Sequence, residues 1–216
     1  MKYTENLNVA DMIEDTRGLL TGDLRYYFKI IFFKANNLYN PYHNFRHMFH
    51  VAWLCYDACN FYKEKLSARE RRNLMIAALF HDFNYDAKIR LDAKEIEIAV
   101  KNLKKFVHGD DKKEVDNISR LIKATQYPHN EKIDVDLPVQ IIQDADLAQV
   151  FSTSWLQQII FGLGKEKHVT QYDMLLGQKK FIKSLRFGTE WAKRRFSREV
   201  MNEKITEVER MIKLLN

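Results

Sequence analysis

The sequence predicts an all-α fold, and three observations predict it. Turn formers are scarce: Pro41, Pro128 and Pro138 are the only prolines in 216 residues, and seven glycines fall short of what a strand-rich fold consumes. Apolar residues recur at helical rather than alternating spacing. Residues that cap helices stand where those apolar runs begin.

Taken in order, residues 8–20 read as a short amphipathic helix and 23–36 as a longer one with Tyr26, Tyr27, Phe28, Phe32 and Phe33 at core-forming spacing. The third helix opens with Asn40 as its cap and Pro41 at the first helical position, where a missing N–H does no harm, and runs to about residue 66. Ser67 with Glu70 is a capping box, and the helix it starts ends at His81-Asp82. Asp92 and Glu95 repeat that pattern for a helix reaching about residue 107. His108-Gly109-Asp110-Asp111 stops and restarts the chain, and a helix over 112–126 ends before Tyr127-Pro128. Leu137-Pro138 begins a helix carrying Asp144 and Asp146. Helices near 154–162, 170–187 and 189–215 complete the chain, in which Phe161-Gly162-Leu163-Gly164 reads as a helix end rather than a phosphate-cradling loop. No linker, repeat or low-complexity tract divides it. The expectation is one domain over 1–216, of nine or ten helices, with a motif-bearing core at about 41–150 and packing helices on either side.

An apolar fraction of 46% supports a sizeable core, and 30% charged residues fits a water-facing surface. The net charge of +6 favours anionic partners such as nucleotides, phosphorylated metabolites or nucleic acid. No stretch approaches the ~20 apolar residues a membrane span needs, and residues 1–18 lack an apolar leader core, so no membrane partner and a cytoplasmic location are expected. Cys55 and Cys59, four apart on one helix, read as small buried side chains rather than a redox or metal pair.

The chemistry concentrates in three places. His43, His47 and His50 fall on one stripe of the third helix. His81 and Asp82 close the apolar run Leu74 to Phe80, and Asp144 and Asp146 close the run Leu137 to Ile142. Charged and ligating groups at the ends of apolar segments are expensive unless paired or metal-bound. His47, His81, Asp82 and one aspartate of the 144/146 pair supply two imidazoles and two carboxylates, a set suited to Mn, Fe, Zn, Ni or Mg with positions left open for water or substrate. A helical bundle can direct all four into one interior pocket.

In this order, His…His-Asp…Asp on helices resembles the HD-domain superfamily of metal-dependent phosphohydrolases. Tyr42-His43-Asn44-Phe45-Arg46-His47 is similar to the Tyr-His-Asn-x-x-His motif of class I cyclic nucleotide phosphodiesterases, and Ala145-Asp146-Leu147 to their Ala-Asp-Leu segment. His81-Asp82-Phe83-Asn84-Tyr85-Asp86 with Lys94-Glu95 is closer to bacterial HD phosphohydrolases with an HD-x-x-Tyr-Asp loop and a downstream Asn-Glu. The likeness covers about residues 41–150. It implies His47, His81, Asp82 and Asp146 as ligands of one or two divalent ions, and favours Asp146 over Asp144, left as a helix cap or supporting acceptor. It also implies His43 as the acid that protonates the leaving oxygen, with Asp82 orienting the attacking water. Where the phosphodiesterases carry a second histidine and a Gly-rich turn, this chain has Phe83-Asn84-Tyr85-Asp86, and the sequence places no purine-clamping glutamine.

Around this set, Glu95 is read either as a carboxylate behind His81 or as half of a capping box. Tyr85, Lys88 and Arg90 lie where a phosphate could be touched, and His129 is a candidate for the pocket rim. His50 is read as structural, and His108 and His168 as surface residues. The basic run from Lys179 to Arg198 reads as a solvated helix face, so nucleic acid is disfavoured as a partner. The expected activity is metal-dependent hydrolysis of a small phosphorylated molecule, most of all a nucleotide, with phosphomonoesters ahead of cyclic phosphodiesters. The alternative from another class is a basic nucleic-acid-binding or regulatory protein with a relict metal site. Oligomeric state is not readable.

Overall fold

Residues 24–86, 92–129 and 135–215 are described in the computed structural model of the chain, and among them every regular element is helical. The expected helix at 8–20, together with Lys88 and Arg90, lies outside the described residues. Among the described residues there are ten α-helices: α1 Leu24–Lys34, α2 Phe45–Phe61, α3 Ala68–Phe80, α4 Asp92–Phe106, α5 Val115–Ala124, α6 Leu137–Leu147, α7 Gly164–Lys167, α8 Gln171–Ser184, α9 Glu190–Arg195 and α10 Arg198–Leu214.

Helix α3 is the axis of the packing. Residues Asn73 to Phe80 are buried on every side, which suits a helix that is apolar all round. Helices α1, α2, α4, α5 and α6 all pack against it. Its start is fixed by the expected capping box, with Ser67 Oγ accepting from Glu70 N and Glu70 Oε2 accepting from Ser67 N. Tyr27 of α1 packs edge-on against Phe80 and donates its hydroxyl to Asp111, whose carboxylate also takes a bidentate pair from Arg72 of α3. Helix α6 starts on an Asp136 cap with Pro138 in its first turn.

Several boundaries differ from expectation, each for a local reason. Helix α2 is capped by Asn44, not Asn40: Asn44 Oδ1 accepts from the N–H groups of Arg46 and His47, while its amide nitrogen donates to the Asn40 carbonyl. Pro41, Tyr42 and His43 therefore form a turn ahead of the helix, and His43 leaves the helical stripe of His47 and His50. The helix expected over 112–126 begins as a 3-10 turn at Gly109–Glu114 and becomes α-helical at Val115. The segment expected to end near Gly162 instead forms a π-helix, Leu156–Leu163, that runs directly into α7. The last helix is split, because Ser197 caps α10 by accepting from Val200 N.

Asp92 and Glu95 do not act on each other's backbone as a capping box would. Asp92 accepts from Tyr127 N, and Glu95 Oε2 accepts from Asp86 N, so both tie loops to α4.

Candidate active site

The ends of α2, α3 and α6 converge. His47 comes from the first turn of α2, His81 and Asp82 from the turn that continues α3, and Asp146 from the last turn of α6. The two Nε2 atoms face each other at 3.3 Å. Asp82 Oδ2 lies 3.1 Å from His81 Nε2 and 3.4 Å from His47 Nε2. Asp146 Oδ1 lies 3.1 Å from His47 Nε2 and 3.5 Å from His81 Nε2.

The imidazoles are held from behind. His81 Nδ1 is 2.8 Å from the Ala78 carbonyl, an acceptor only, so Nδ1 carries a proton and Nε2 is turned toward the cluster. Burial disfavours a charged ring, but Asp82 and Asp146 outweigh it and raise the pKa well above the usual imidazole value. His47 Nδ1 faces Gln149 Oε1 at 3.4 Å, and Gln149 is oriented by donating to Ser152 Oγ. Two imidazole Nε2 atoms and two carboxylates thus point into one small volume. Asp82 Oδ2 is buried and, among the described residues, makes no hydrogen bond of good geometry. Bonds of ~2.0–2.2 Å around one ion place neighbouring ligand atoms roughly 3.0–3.5 Å apart, which matches these separations. The donor set fits a divalent cation.

Electrostatics point the same way. Burial pushes the Asp82 carboxyl up, but His81, His43 and His47 outweigh it and hold it at about 2. Burial opposes ionisation of Asp146 too, and its hydrogen bonds to His47 and His81 drive it well below the usual carboxylate range.

His43 sits outside the cluster, its ring centroid 6.0 Å from that of His47. Glu166 grips it: Oε2 is 2.6 Å from His43 Nδ1, and Oε1 accepts from Tyr42 N and His43 N. Tyr85 stacks on the other face of the picture, with centroids 3.7 Å apart and planes 15° from parallel. Asn37, almost fully buried, donates to the carbonyls of both His43 and Asp82 and accepts from Asn84 N. That lock lets Asn84 turn the chain with φ of 64°, a left-handed conformation that asparagine tolerates.

Glu166 arrives because the π-helix docks on the turn before α2. A Cβ added to Gly162 would sit 2.4 Å from the Pro41 carbonyl oxygen, so only glycine permits this approach.

The groups surround a cavity of 1360 Å³. Its wall away from the cluster includes Ile96, Ile159, Met174, Gln178 and Phe181. Gln178 Oε1 is buried with no hydrogen-bond partner among the described residues. Lys165, Lys167 and His168 stand at the exposed rim.

Not every sequence candidate reaches this space. Glu95 is buried but lies under the Asp86 backbone rather than among the lining residues, and His81 Nδ1 is held by Ala78 instead. His129 is exposed beside Tyr127 and does not line the cavity. His50 is half-buried away from it, and desolvation, helped by His47 and Arg195, lowers its pKa to about 3, so the ring stays neutral. Asp144 takes the supporting-acceptor option: it accepts from Gly188 N, Thr189 N and Thr189 Oγ1, and Thr189 is itself the cap of α9. His168, read as a surface residue, is exposed yet borders the cavity mouth. Glu166, Asn37, Gln149, Gln178 and Phe181 were not singled out by the sequence.

No family model matches the chain, and no curated protein matches it. Its three-dimensional arrangement does have a counterpart: the crystal structure of the phosphodiesterase domain of the RhoPDE fusion protein from the choanoflagellate Salpingoeca rosetta aligns over 96% of this chain and 89% of that one, with a TM-score of 0.62 at 14% identity. The fold is that of a phosphodiesterase domain. At such low identity the likeness is one of helix arrangement. Among the described residues no helix is long and apolar enough to cross a membrane.

Proposed function

We propose that this protein is a divalent-metal-dependent phosphohydrolase of the HD type, acting on a phosphoester of a nucleotide. The observation that carries the proposal is the convergence of His47, His81, Asp82 and Asp146 with a carboxylate-held His43 beside them. A divalent cation held by those four residues supplies charge to phosphoryl oxygens and lowers the pKa of water toward ~7.

The chain's own groups then divide the remaining work. Asp82, ionised and partly open to the cavity, accepts a proton from water on the cluster side. His43 donates a proton from Nε2 to the leaving oxygen, while Glu166 keeps Nδ1 protonated and the ring aimed. Stacking by Tyr85 restricts rotation of that ring. The apolar wall with Gln178 and Phe181 accommodates a heterocyclic base, whose edge would satisfy the buried amide oxygen.

A cyclic nucleotide phosphodiesterase is the second reading, favoured by the phosphodiesterase fold. The test is elemental analysis of purified protein followed by a nucleotide and model phosphoester panel with Mn²⁺. His43→Ala should retain metal and lose about 10²–10⁴-fold in turnover, whereas Asp82→Ala should lose both. Loss of metal from His43→Ala would overturn the division of roles. Retained metal without turnover of any phosphoester, with salt-sensitive nucleic-acid binding, would favour a relict site in a binding protein.

A further inference from the structure

The cavity holds an imbalance that hydrolysis of a single phosphate does not use. Four carboxylates line it: Asp82, Asp92, Asp146 and Glu166. Each has work, two in the cluster, Glu166 on His43 and Asp92 on Tyr127 N. Among the described lining residues only Lys165 and Lys167 are permanent cations, and neither has an ion-pair or hydrogen-bond partner among the described residues. They flank Glu166, which grips His43, on the one-turn helix α7, and both are exposed where they border the cavity. The Val169 N–H returns to the Gly164 carbonyl, and His168 closes the turn at φ 53°, holding that rim in place.

A phosphate at the His-Asp cluster would already have its charge met there. Two unpartnered ammonium groups at the rim of the same cavity suit a second anion. The cavity's 1360 Å³ also exceeds the ~300–1,000 Å³ of most small-molecule sites. We infer that Lys165 and Lys167 form a second phosphate subsite, and that the preferred substrate is a nucleotide bearing a phosphate besides the scissile one. This rests on the phosphohydrolase reading above.

The experiment uses the full chain with Mn²⁺ and two matched pairs: ApA against 5′-phosphorylated pApA, and adenosine 5′-monophosphate against adenosine 3′,5′-bisphosphate. Whichever ester type is turned over supplies the comparison. The extra phosphate should raise kcat/KM by at least about tenfold, a discrimination of roughly 1.4 kcal/mol. In Lys165→Gln/Lys167→Gln that ratio should fall to near one. Because both members of a pair are measured on the same protein, any general loss of folding cancels. Turnover without preference for the extra phosphate, or a preference that survives in the double variant, overturns the subsite. An equal fall for both substrates also overturns it, since that is steering of anions in general. Adenosine 3′,5′-cyclic monophosphate is run beside them: its turnover with neither pair hydrolysed also overturns the subsite, and no turnover of any of the five esters would instead sink the hydrolase reading itself.

Discussion

At the scale of single residues, the site is decided by what stands behind each reacting group. Glu166 shows this most sharply. Its Oε1 takes two backbone N–H groups of the turn before α2, leaving Oε2 for the His43 ring at 2.6 Å. In Glu166→Gln the amide oxygen can keep the backbone contacts, but the amide nitrogen then faces Nδ1 and cannot accept its proton. The doubly protonated ring that an acid requires loses its anion. Turnover should fall by about 10²-fold or more with metal content retained, and a variant with full turnover would remove Glu166 from the chemistry. Asp144 is the contrasting case. Asp144→Ala should leave the metal in place yet cost about 1–3 kcal/mol in denaturant unfolding, because Thr189 and the Gly188–Thr189 backbone lose their shared acceptor. The residues legible in the sequence were those whose chemistry is unusual for their surroundings, such as His81-Asp82 after a fully apolar run. Glu166 was not, since Lys165-Glu166-Lys167 looks like any solvated turn, and Asn37 was not, since a buried asparagine is recognised only by the carbonyls it bridges.

At the scale of elements, helix existence was readable and helix ends were not. The Ser67–Glu70 box needs only four consecutive residues, so it could be seen directly. Choosing between Asn40 and Asn44 as a cap could not be settled locally. Glu166, more than a hundred residues away, takes the N–H groups of Tyr42 and His43 and holds the intervening turn out of the helix. The split between α9 and α10 is similarly remote in origin. Trp191 of α9 donates to Asp57 of α2 and packs against Phe196, which anchors the short helix to the core before Ser197 starts the next. The π-helix is the element on which the proposed chemistry leans most, because its docking on Pro41 delivers Glu166 to His43. Gly162→Ala should test that link. The new methyl meets rigid backbone at 2.4 Å, so the π-helix must shift. A cost of about 1–3 kcal/mol in stability is expected, with turnover reduced far more than metal content. Unchanged turnover in a folded variant would show that Glu166 reaches His43 without this contact.

At the scale of the whole molecule, the four cluster groups belong to the helices that make up the core. Helix α2 packs on α3 and α6, α6 packs on α3, and each contributes at least one group to the same point. Order along the chain made this convergence legible, because a bundle gathers the ends of apolar helices at one interior place. The cavity beside it was not legible, since its far wall comes from α8 and the π-helix, whose one acidic residue, Asp173, is spent on the Thr170 cap. One thermodynamic consequence follows from placing a cation site at the junction of three core helices. An ion that binds only the folded chain stabilises it by mass action, about 2.7 kcal/mol at a concentration a hundred times its dissociation constant. For a chain of this length that is a rise of roughly 5–10 °C in Tm. Melting should therefore rise on titrating Mn²⁺ into chelator-treated protein. Asp146→Ala should flatten that response, because one of the two carboxylates flanking the imidazoles is gone. Asp144→Ala should start lower yet keep the full slope, because its carboxylate faces α9 and not the cluster. A melting temperature indifferent to Mn²⁺ in the unaltered protein would mean that the two imidazoles and two carboxylates are brought together without an ion to bind.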